Sequence, residues 1–332
     1  MTNTVCAVVV TYNRKKLLIE CLDALINQKL NPDAIYIVDN NSTDKTFELL
    51  ESHGYVTRNN FETSKENVLI KYIPLNENTG GAGGFYEGVK QAHLKYDWLW
   101  LMDDDAEVTP DCLYELKPYF NQENISALAS LKVDANRNIL FHHRGYFNFQ
   151  KGLPTQEHIT LNDTKTKTTK IDMASFVGIL IKDEIITKIG YPKKEFFIHA
   201  DDLEYCIRLR EHGQILLINK SVILHKEGSV KGTFTKKKLG ITANRRPYDK
   251  LWINYYMIRN LTWLGKKYTK NRQSFYMTII KNYILSIIGI IIYDDHKINR
   301  IKFYTHAYND GLREKFDNKK PKKILYQEKY SR

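Results

Sequence analysis

Six uninterrupted apolar residues, Val5-Cys6-Ala7-Val8-Val9-Val10, follow Met1-Thr2-Asn3-Thr4. A β-branched run with no polar alternation fits a strand buried on both faces, and such strands belong to parallel sheets covered by helices. After Thr11-Tyr12-Asn13-Arg14, the residues Leu17, Leu18, Cys21, Leu22, Leu25 and Ile26 recur at helical spacing and supply that cover. The pattern then repeats. Ala34-Ile35-Tyr36-Ile37-Val38 reads as a second strand, and Asp39-Asn40-Asn41-Ser42-Thr43-Asp44 leads into a helix from Lys45 to Ser52, capped by Ser42 or Asp44. Two strand–helix units at the start predict an α/β fold: a mostly parallel, Rossmann-like doubly wound sheet flanked by helices.

Residues 54–67 read as a polar connection and Val68 to Ile73 as a third strand. Asn76-Glu77-Asn78-Thr79-Gly80-Gly81-Ala82-Gly83-Gly84-Phe85 reads as a glycine-rich loop before a helix from about Tyr86 to Leu94. Glycines let backbone approach a ligand, and the helix start beyond is electropositive. The stretch lacks the GK[ST] ending of a P-loop and follows the third strand, not the first. The apolar run Leu99-Trp100-Leu101-Met102 then ends in Asp103-Asp104-Asp105, and Thr109-Pro110 reads as the cap and first position of the next helix. Three adjacent carboxylates at the carboxyl end of a buried strand repel one another and favour a hard divalent cation. A solvated acidic turn is the bland alternative.

Further along, Ser126 to Val133 and Met173 to Ile181 (with Gly178 inside it) read as strands, with hairpins or a long loop over 134–170 between them. Asp183 caps a short helix ending at Gly190. Phe196-Phe197-Ile198-His199-Ala200 leads into Asp201-Asp202 and a helix closed by Gly213. Ile215 to Ile218 and Val222 to Leu224 read as two short strands before His225-Lys226-Glu227-Gly228-Ser229. From about Thr233 the chain turns basic and amphipathic: Lys236-Lys237-Lys238, Arg245-Arg246, an aromatic helix over Asn254 to Trp263, and an apolar stretch from Phe275 to Tyr293. Lys281 and Asn282 near the middle of that stretch argue against a membrane span and for a packed or interfacial helix. Lys319-Lys320-Pro321-Lys322-Lys323 reads as a mobile basic tail. The formal net charge of +12 points to an anionic partner. Four cysteines without a CxxC pair read as reduced, buried thiols of a cytoplasmic protein. The N-terminus shows no basic region followed by a long apolar one, so no signal peptide is expected.

Taken in order, VVVTYNR, VDNNSTD, NENTGGAGGF, LMDDDAEV, HADDLEY and ILHKEGS resemble family-2 glycosyltransferases of the GT-A fold. The resemblance is to the bacterial branch of galactofuranosyl- and rhamnosyltransferases of cell-surface polysaccharide synthesis. It covers residues 4–230 and the YYMIRN element at 255–260. It implies a nucleotide-sugar and acceptor domain over 1–232 and a helical, basic extension over 233–332. It further implies inverting transfer from UDP-galactofuranose, or next dTDP-rhamnose, to a lipid-linked or polysaccharide acceptor at the inner face of the membrane.

By the same resemblance, Asp105, Asp103 and His225 hold Mn²⁺ or Mg²⁺, and Asp103 and Asp104 lie near the nucleotide-sugar. Thr11, Tyr12, Asn13, Arg14, Asp39, Asn78, Gly80, Gly81, Gly83 and Gly84 line the nucleotide. Asp202 is the base, with Asp201 beside it, and Glu204 one turn in is a candidate to contact the acceptor. For each, an ordinary structural role competes: turn chemistry for Asn13 and Asp39, tight packing for the glycines, helix capping for the aspartates, and an i,i+4 pair with Arg208 for Glu204. His142, His143 and Arg144 are candidates to flank the acceptor. The basic C-terminal region suits peripheral membrane contact or self-association. Nucleic acid is not expected, because a plain basic binder leaves the two acidic constellations unexplained. A sugar nucleotidyltransferase would carry its glycine-rich loop after the first strand, where this chain has Thr11-Tyr12-Asn13-Arg14.

Overall fold

The computed structural model describes residues 3–226, 234–238 and 241–326. Glu227, Gly228 and Ser229 of the late motif, and the expected boundary at 232/233, lie outside them. The chain divides into two units. The first comprises residues 1–146, 156–194 and 201–227, and the second 147–155, 195–200 and 228–332.

The first unit opens with β1 (Val5–Thr11), α1 (Lys15–Ile26), β2 (Ala34–Asp39), α2 (Thr46–Ser52), β3 (Glu62–Lys65), β4 (Val68–Pro74), α3 (Gly80–Ala92) and β5 (Trp98–Asp103). It continues through β6 (Ala106–Val108), α4 (Cys112–Leu116), β7 (Ile125–Val133), β8 (Arg144–Asn148) up to residue 146, β9 (Thr155–His158) from residue 156, β10 (Thr168–Ile171) and β11 (Met173–Ala174). β12 (Ile179–Lys182), α5 (Asp183–Ile189), α6 (Asp201–Arg210) and β13 (Gln214–His225) complete it. The main sheet has the order β10-β13-β7-β12-β5-β1-β2-β4-β3, with β6 paired to β13. β1 is parallel to β2 and β5, β2 to β4, and β7 to β13; β12 enters antiparallel between β5 and β7. Every residue of β1, β2 and β7 is buried, as strands covered on both faces require. Because β1, β2 and β5 are parallel and in register, Thr11 pairs with Asp39 and Val10 with Asp103. The carboxyl ends of three strands therefore open on one edge, where ligands bind in such sheets.

Several local expectations are corrected. The glycine-rich stretch is not a loop: α3 starts at Gly80 and runs through it. A Cβ on Gly84 would stand 2.5 Å from Val10 Cγ1, and one on Gly88 2.3 Å from Val8 Cγ1. These two glycines set the helix close against β1, where a methyl would cost about 1–3 kcal/mol of overpacking. Asn40 fastens the start of α3: its Oδ1 accepts from Thr79 N–H at 2.8 Å and its Nδ2 donates to Gly80 O at 2.7 Å.

Met173 to Ile181 is two strands, since Gly178 (φ 82°) turns the chain between β11 and β12. The two short strands after α6 are one, β13, with a register shift between Ile218 and Val222. The polar connection contains β3, an edge strand antiparallel to β4. Neither Ser42 nor Asp44 takes a backbone N–H at the start of α2; Asp44 takes Lys15 N–H and the hydroxyl of Thr46, and Ser42 takes Asn13 N–H. Thr109 does not cap with its side chain either. Its hydroxyl donates to Val222 O at 3.0 Å, and α4 begins three residues later. Asp183 sits in the first turn of α5 and faces His93 Nδ1 at 2.8 Å. All four cysteines are buried and unbridged.

The second unit holds the hairpin β14 (Phe234–Lys238) and β15 (Ile241–Arg245), then α7 (Trp252–Tyr268), α8 (Arg272–Tyr293), α9 (Lys297–Leu312) and α10 (Lys320–Tyr326). Leu251, Tyr255, Phe303, Ala307 and Leu325 form its apolar centre. The expected mobile tail is thus corrected to a docked helix: Pro321 and Leu325 are buried, and Lys320 Nζ pairs with Asp310 at 2.7 Å. α8 is apolar nearly all round, yet Tyr276, Met277, Ile280, Ile284, Leu285, Ile288 and Ile291 are exposed along one stripe.

Candidate active site

Asp103 ends β5, Asp104 and Asp105 form the turn to β6, and His225 ends β13, which pairs with β6. One ligand atom from each of Asp103, Asp105 and His225 lies within 4.8 Å of the others. His225 Nε2 is 2.9 Å from Asp105 Oδ1, and Arg14 Nη1 is 2.9 Å from Asp105 Oδ2. Asp104 points elsewhere. Its Oδ2 accepts from Thr11 Oγ1 at 2.7 Å, and its Oδ1 sits 3.2 Å from Arg14 Nη1. Arg14, expected beside the nucleotide, is therefore a partner of the acidic turn.

Burial shapes the charge here. It pushes Asp103 up to about 7, helped by the charges of Asp105 and Asp104. It pushes Asp104 up to about 6, against the pull of Arg14 and Thr11. Burial also works against the charged form of Asp105, but the His225 contact and Arg14 outweigh it and hold Asp105 at about 2. Two carboxylates and an imidazole, each with a ligand atom in one small buried patch, are a donor set that fits Mn²⁺ or Mg²⁺.

Sequence reading missed Lys132. It lies in β7, is fully buried, and sits 3.4 Å from Ser175 Oγ. Its positive charge bears on Asp103, Asp105 and Asp202, and so acts on both acidic constellations. A lysine in the small apolar run Ser126-Ala127-Leu128-Ala129-Ser130-Leu131 was the available signal, since unpaired lysines are almost never buried.

Asp201 and Asp202 open α6. Asp201 is buried, and Asp202 Oδ1 accepts from Leu203 N–H at 2.7 Å. Burial raises Asp201 well above the carboxylate range, with the Asp202 charge adding to it. Burial also raises Asp202, partly offset by the Leu203 N–H and Lys132. Glu204 pairs with Arg208, Nη2 to Oε2 at 2.7 Å, which is the i,i+4 helical pair. Arg144, a candidate to flank the acceptor, is fully buried, and its guanidinium donates to Ser130 O, Val177 O, His143 O and Ser175 Oγ. His143 does reach the cluster: its ring centroid is 5.3 Å from that of His225.

Asp39 is buried, with Oδ1 taking Ser42 N–H at 2.8 Å and Oδ2 taking Tyr72 Oη–H at 2.6 Å. Asn13 (φ 54°) ties the loops after β1 and β2 together: its Oδ1 accepts from Thr43 N–H at 2.7 Å and its own N–H donates to Ser42 Oγ. Tyr12 is exposed. Asn78 Oδ1 accepts from Gly80 N–H at 2.8 Å. A Cβ on Gly81 would meet nothing, whereas one on Gly83 would meet Thr79 Oγ1 at 2.3 Å.

Residues 6–190 of the chain match the family described as "Glycosyl transferase family 2". The chain is a family-2 glycosyltransferase. This glycosyltransferase is 29% identical over 218 residues to galactofuranosyltransferase GlfT1 of Mycolicibacterium smegmatis, a match covering 64% of this chain and 67% of that one. It is 24% identical over 319 residues to dTDP-rhamnosyl transferase RfbF of Shigella flexneri, covering 94% and 97%. Among solved structures, the glycosyltransferase resembles Staphylococcus aureus TarS 1-349 in complex with UDP, with a TM-score of 0.55, 14% identity, and 99% and 92% of the two chains covered. GalNAc-T7 with UDP, GalNAc and Mn²⁺ gives a TM-score of 0.58 at 14% identity, with 94% of this chain covered and 56% of that one. At these identities the likeness shows the GT-A fold.

Proposed function

We propose that the enzyme is a metal-dependent inverting glycosyltransferase of cell-surface polysaccharide synthesis. Its donor is UDP-galactofuranose, with dTDP-rhamnose the next choice, and its acceptor a lipid-linked or growing oligosaccharide. The observation that carries this reading is the convergence of Asp103, Asp105 and His225 within 4.8 Å at the carboxyl edge of the sheet. The named relatives, a galactofuranosyl- and a rhamnosyltransferase, support the choice of sugars.

Asp105, Asp103 and His225 would hold Mn²⁺ or Mg²⁺ in this reading, and that ion would supply positive charge against a leaving diphosphate. Asp104, braced by Thr11 and Arg14, borders the nucleotide together with Tyr12, Asn13, Asn78 and the start of α3 at Gly80, Gly81, Gly83 and Gly84. Asp39 presents a buried carboxylate suited to a base imide N–H. Asp202 takes the proton of the acceptor hydroxyl, whose oxygen then attacks the anomeric carbon on the face opposite the leaving diphosphate. Asp201 stays beside it. The test is a turnover screen of UDP- and dTDP-sugars with and without Mn²⁺. UDP-galactofuranose turnover that disappears with chelator is expected; no turnover of any nucleotide sugar ends the reading.

For the second unit we propose peripheral contact with the cytoplasmic face of an anionic membrane through the exposed stripe of α8. Residues 228–332 hold 24 Lys and Arg against 7 Asp and Glu, which suits anionic headgroups. A helix with one exposed apolar stripe, interrupted by Lys281 and Asn282 near its middle, suits an interfacial position. The protein is expected to float with phosphatidylglycerol vesicles and to do so more weakly in high salt. Ile280→Ser with Ile284→Ser should abolish flotation; equal flotation of that variant refutes the assignment.

A further inference from the structure

The segment that leads into Asp201 has three non-glycine residues in the left-handed region: Phe197 (φ 65°), His199 (φ 69°) and Ala200 (φ 63°). Side chains with a Cβ avoid that region, and glycine would reach it without strain. Locally the segment has a tight turn, with Ile198 N–H donating to Phe196 O at 2.7 Å. Something else must hold it.

Within the second unit, α7 does so with two adjacent, fully buried side chains. Asn260 Nδ2 lies within donating distance of three carbonyls in turn: Phe196 O at 3.0 Å, Ile198 O at 3.1 Å and His199 O at 2.8 Å. Arg259 Nη2 donates to Glu195 O and Phe196 O, both at 3.1 Å. Arg259 Nε donates to Asn260 Oδ1 at 2.9 Å, so each of the pair orients the other. Nη1 reaches Asn318 Oδ1 at 2.9 Å, and the guanidinium carbon lies 5.2 Å from the Tyr256 ring centroid and 5.0 Å from that of Phe316. Phe197 stacks on Tyr256 with centroids 4.7 Å apart. Four of the five loop carbonyls from Glu195 to His199, all but that of Phe197, are thus fixed from one helix. A buried guanidinium is costly unless its donors are used, and here they are used to impose a backbone that glycine would adopt unaided. Glycine would also leave that backbone free to move.

We propose that Arg259 and Asn260 are positioning residues for glycosyl transfer. They hold residues 195–200 in the left-handed course and so fix the point and direction from which the chain enters Asp201 and Asp202. Neither side chain touches a reacting atom; both act through the peptide chain. This deepens the assignment of Asp202 as base and rests on it.

The test uses the full chain with Mn²⁺, UDP as the binding probe and UDP-galactofuranose as donor. Asn260→Asp keeps the shape and removes the Nδ2 donors; Arg259→Lys keeps the charge and removes the fork. Both should lower kcat by about 100-fold, the cost of a misplacement near 1 Å. The KM for donor and the Kd for UDP should stay within about twofold of wild type, since uniform binding is untouched. Amide hydrogen exchange over 196–203 should quicken while that of β1 and β5 does not. Unchanged exchange in both variants refutes the clamp whatever the turnover. Faster exchange with unchanged kcat refutes the positioning role, and a parallel loss of UDP affinity marks general collapse and refutes it too. A wild-type enzyme that turns over no nucleotide sugar removes the reading on which the positioning role rests, and the exchange result still decides whether the clamp exists.

Discussion

Asp202→Asn is expected to lower kcat by about 10²–10⁴-fold, the range for losing a positioned general base, with UDP affinity retained. The same change should raise thermal stability at pH 7.5. The carboxyl group of Asp202 is shifted upward by burial. A carboxylate raised in the folded state contributes stability that is present below its unfolded value, near 3.9, and is lost as pH rises through the folded value. At neutral pH the ionised side chain is therefore a net cost, which the neutral amide relieves. The gain over wild type should shrink as pH is lowered toward 4. In wild type the acidic limb of kcat should lie above the ordinary carboxylate range, because the base works only when ionised. Wild-type turnover in the variant, or a loss of stability at pH 7.5 with no gain at any pH, would show that Asp202 is a helix cap and nothing more.

The second large effect is expected at the acidic turn. Asp105→Asn removes the carboxylate shared by His225 and Arg14. Mn²⁺ affinity, read from free Mn²⁺ by electron paramagnetic resonance, should fall by more than the roughly 10–100-fold typical of outer-shell changes. The rise in melting temperature that Mn²⁺ gives wild type should vanish with it. Asp104→Asn should instead leave Mn²⁺ affinity nearly intact, because its oxygens are turned to Thr11 and Arg14. Equal losses in the two variants would mean that the turn acts as one acidic patch, without a defined set of ligands.

The difference between Asp104 and its neighbours shows what sequence could and could not reveal. Val5 to Val10 declared a buried parallel strand because nothing polar interrupts it, and the same logic placed Asp103 to Asp105 at the open edge. The pairing of Asp105 with His225 needed β6 to lie against β13, a contact across more than a hundred residues that no local pattern encodes. Helix α3 was hidden by low glycine propensity, which close packing against Val8 and Val10 overrides. Lys132 and Arg144 look alike in sequence, each a cation near a strand end. Only the fold shows that one bears on the acidic groups while the other is spent on backbone carbonyls.

The two units also alternate along the sequence. Residues 147–155 and 195–200 belong with the C-terminal hundred residues, although the first unit's sequence surrounds both stretches. The C-terminal region is therefore not a cassette that recombination could exchange freely. A replacement would have to bring its own carbonyl-holding pair at the places of Arg259 and Asn260, in register with a loop encoded some sixty residues upstream. Divergence of this region is constrained to proceed by substitution within the helices, and transplantation of the whole region would strand the loop that precedes Asp201.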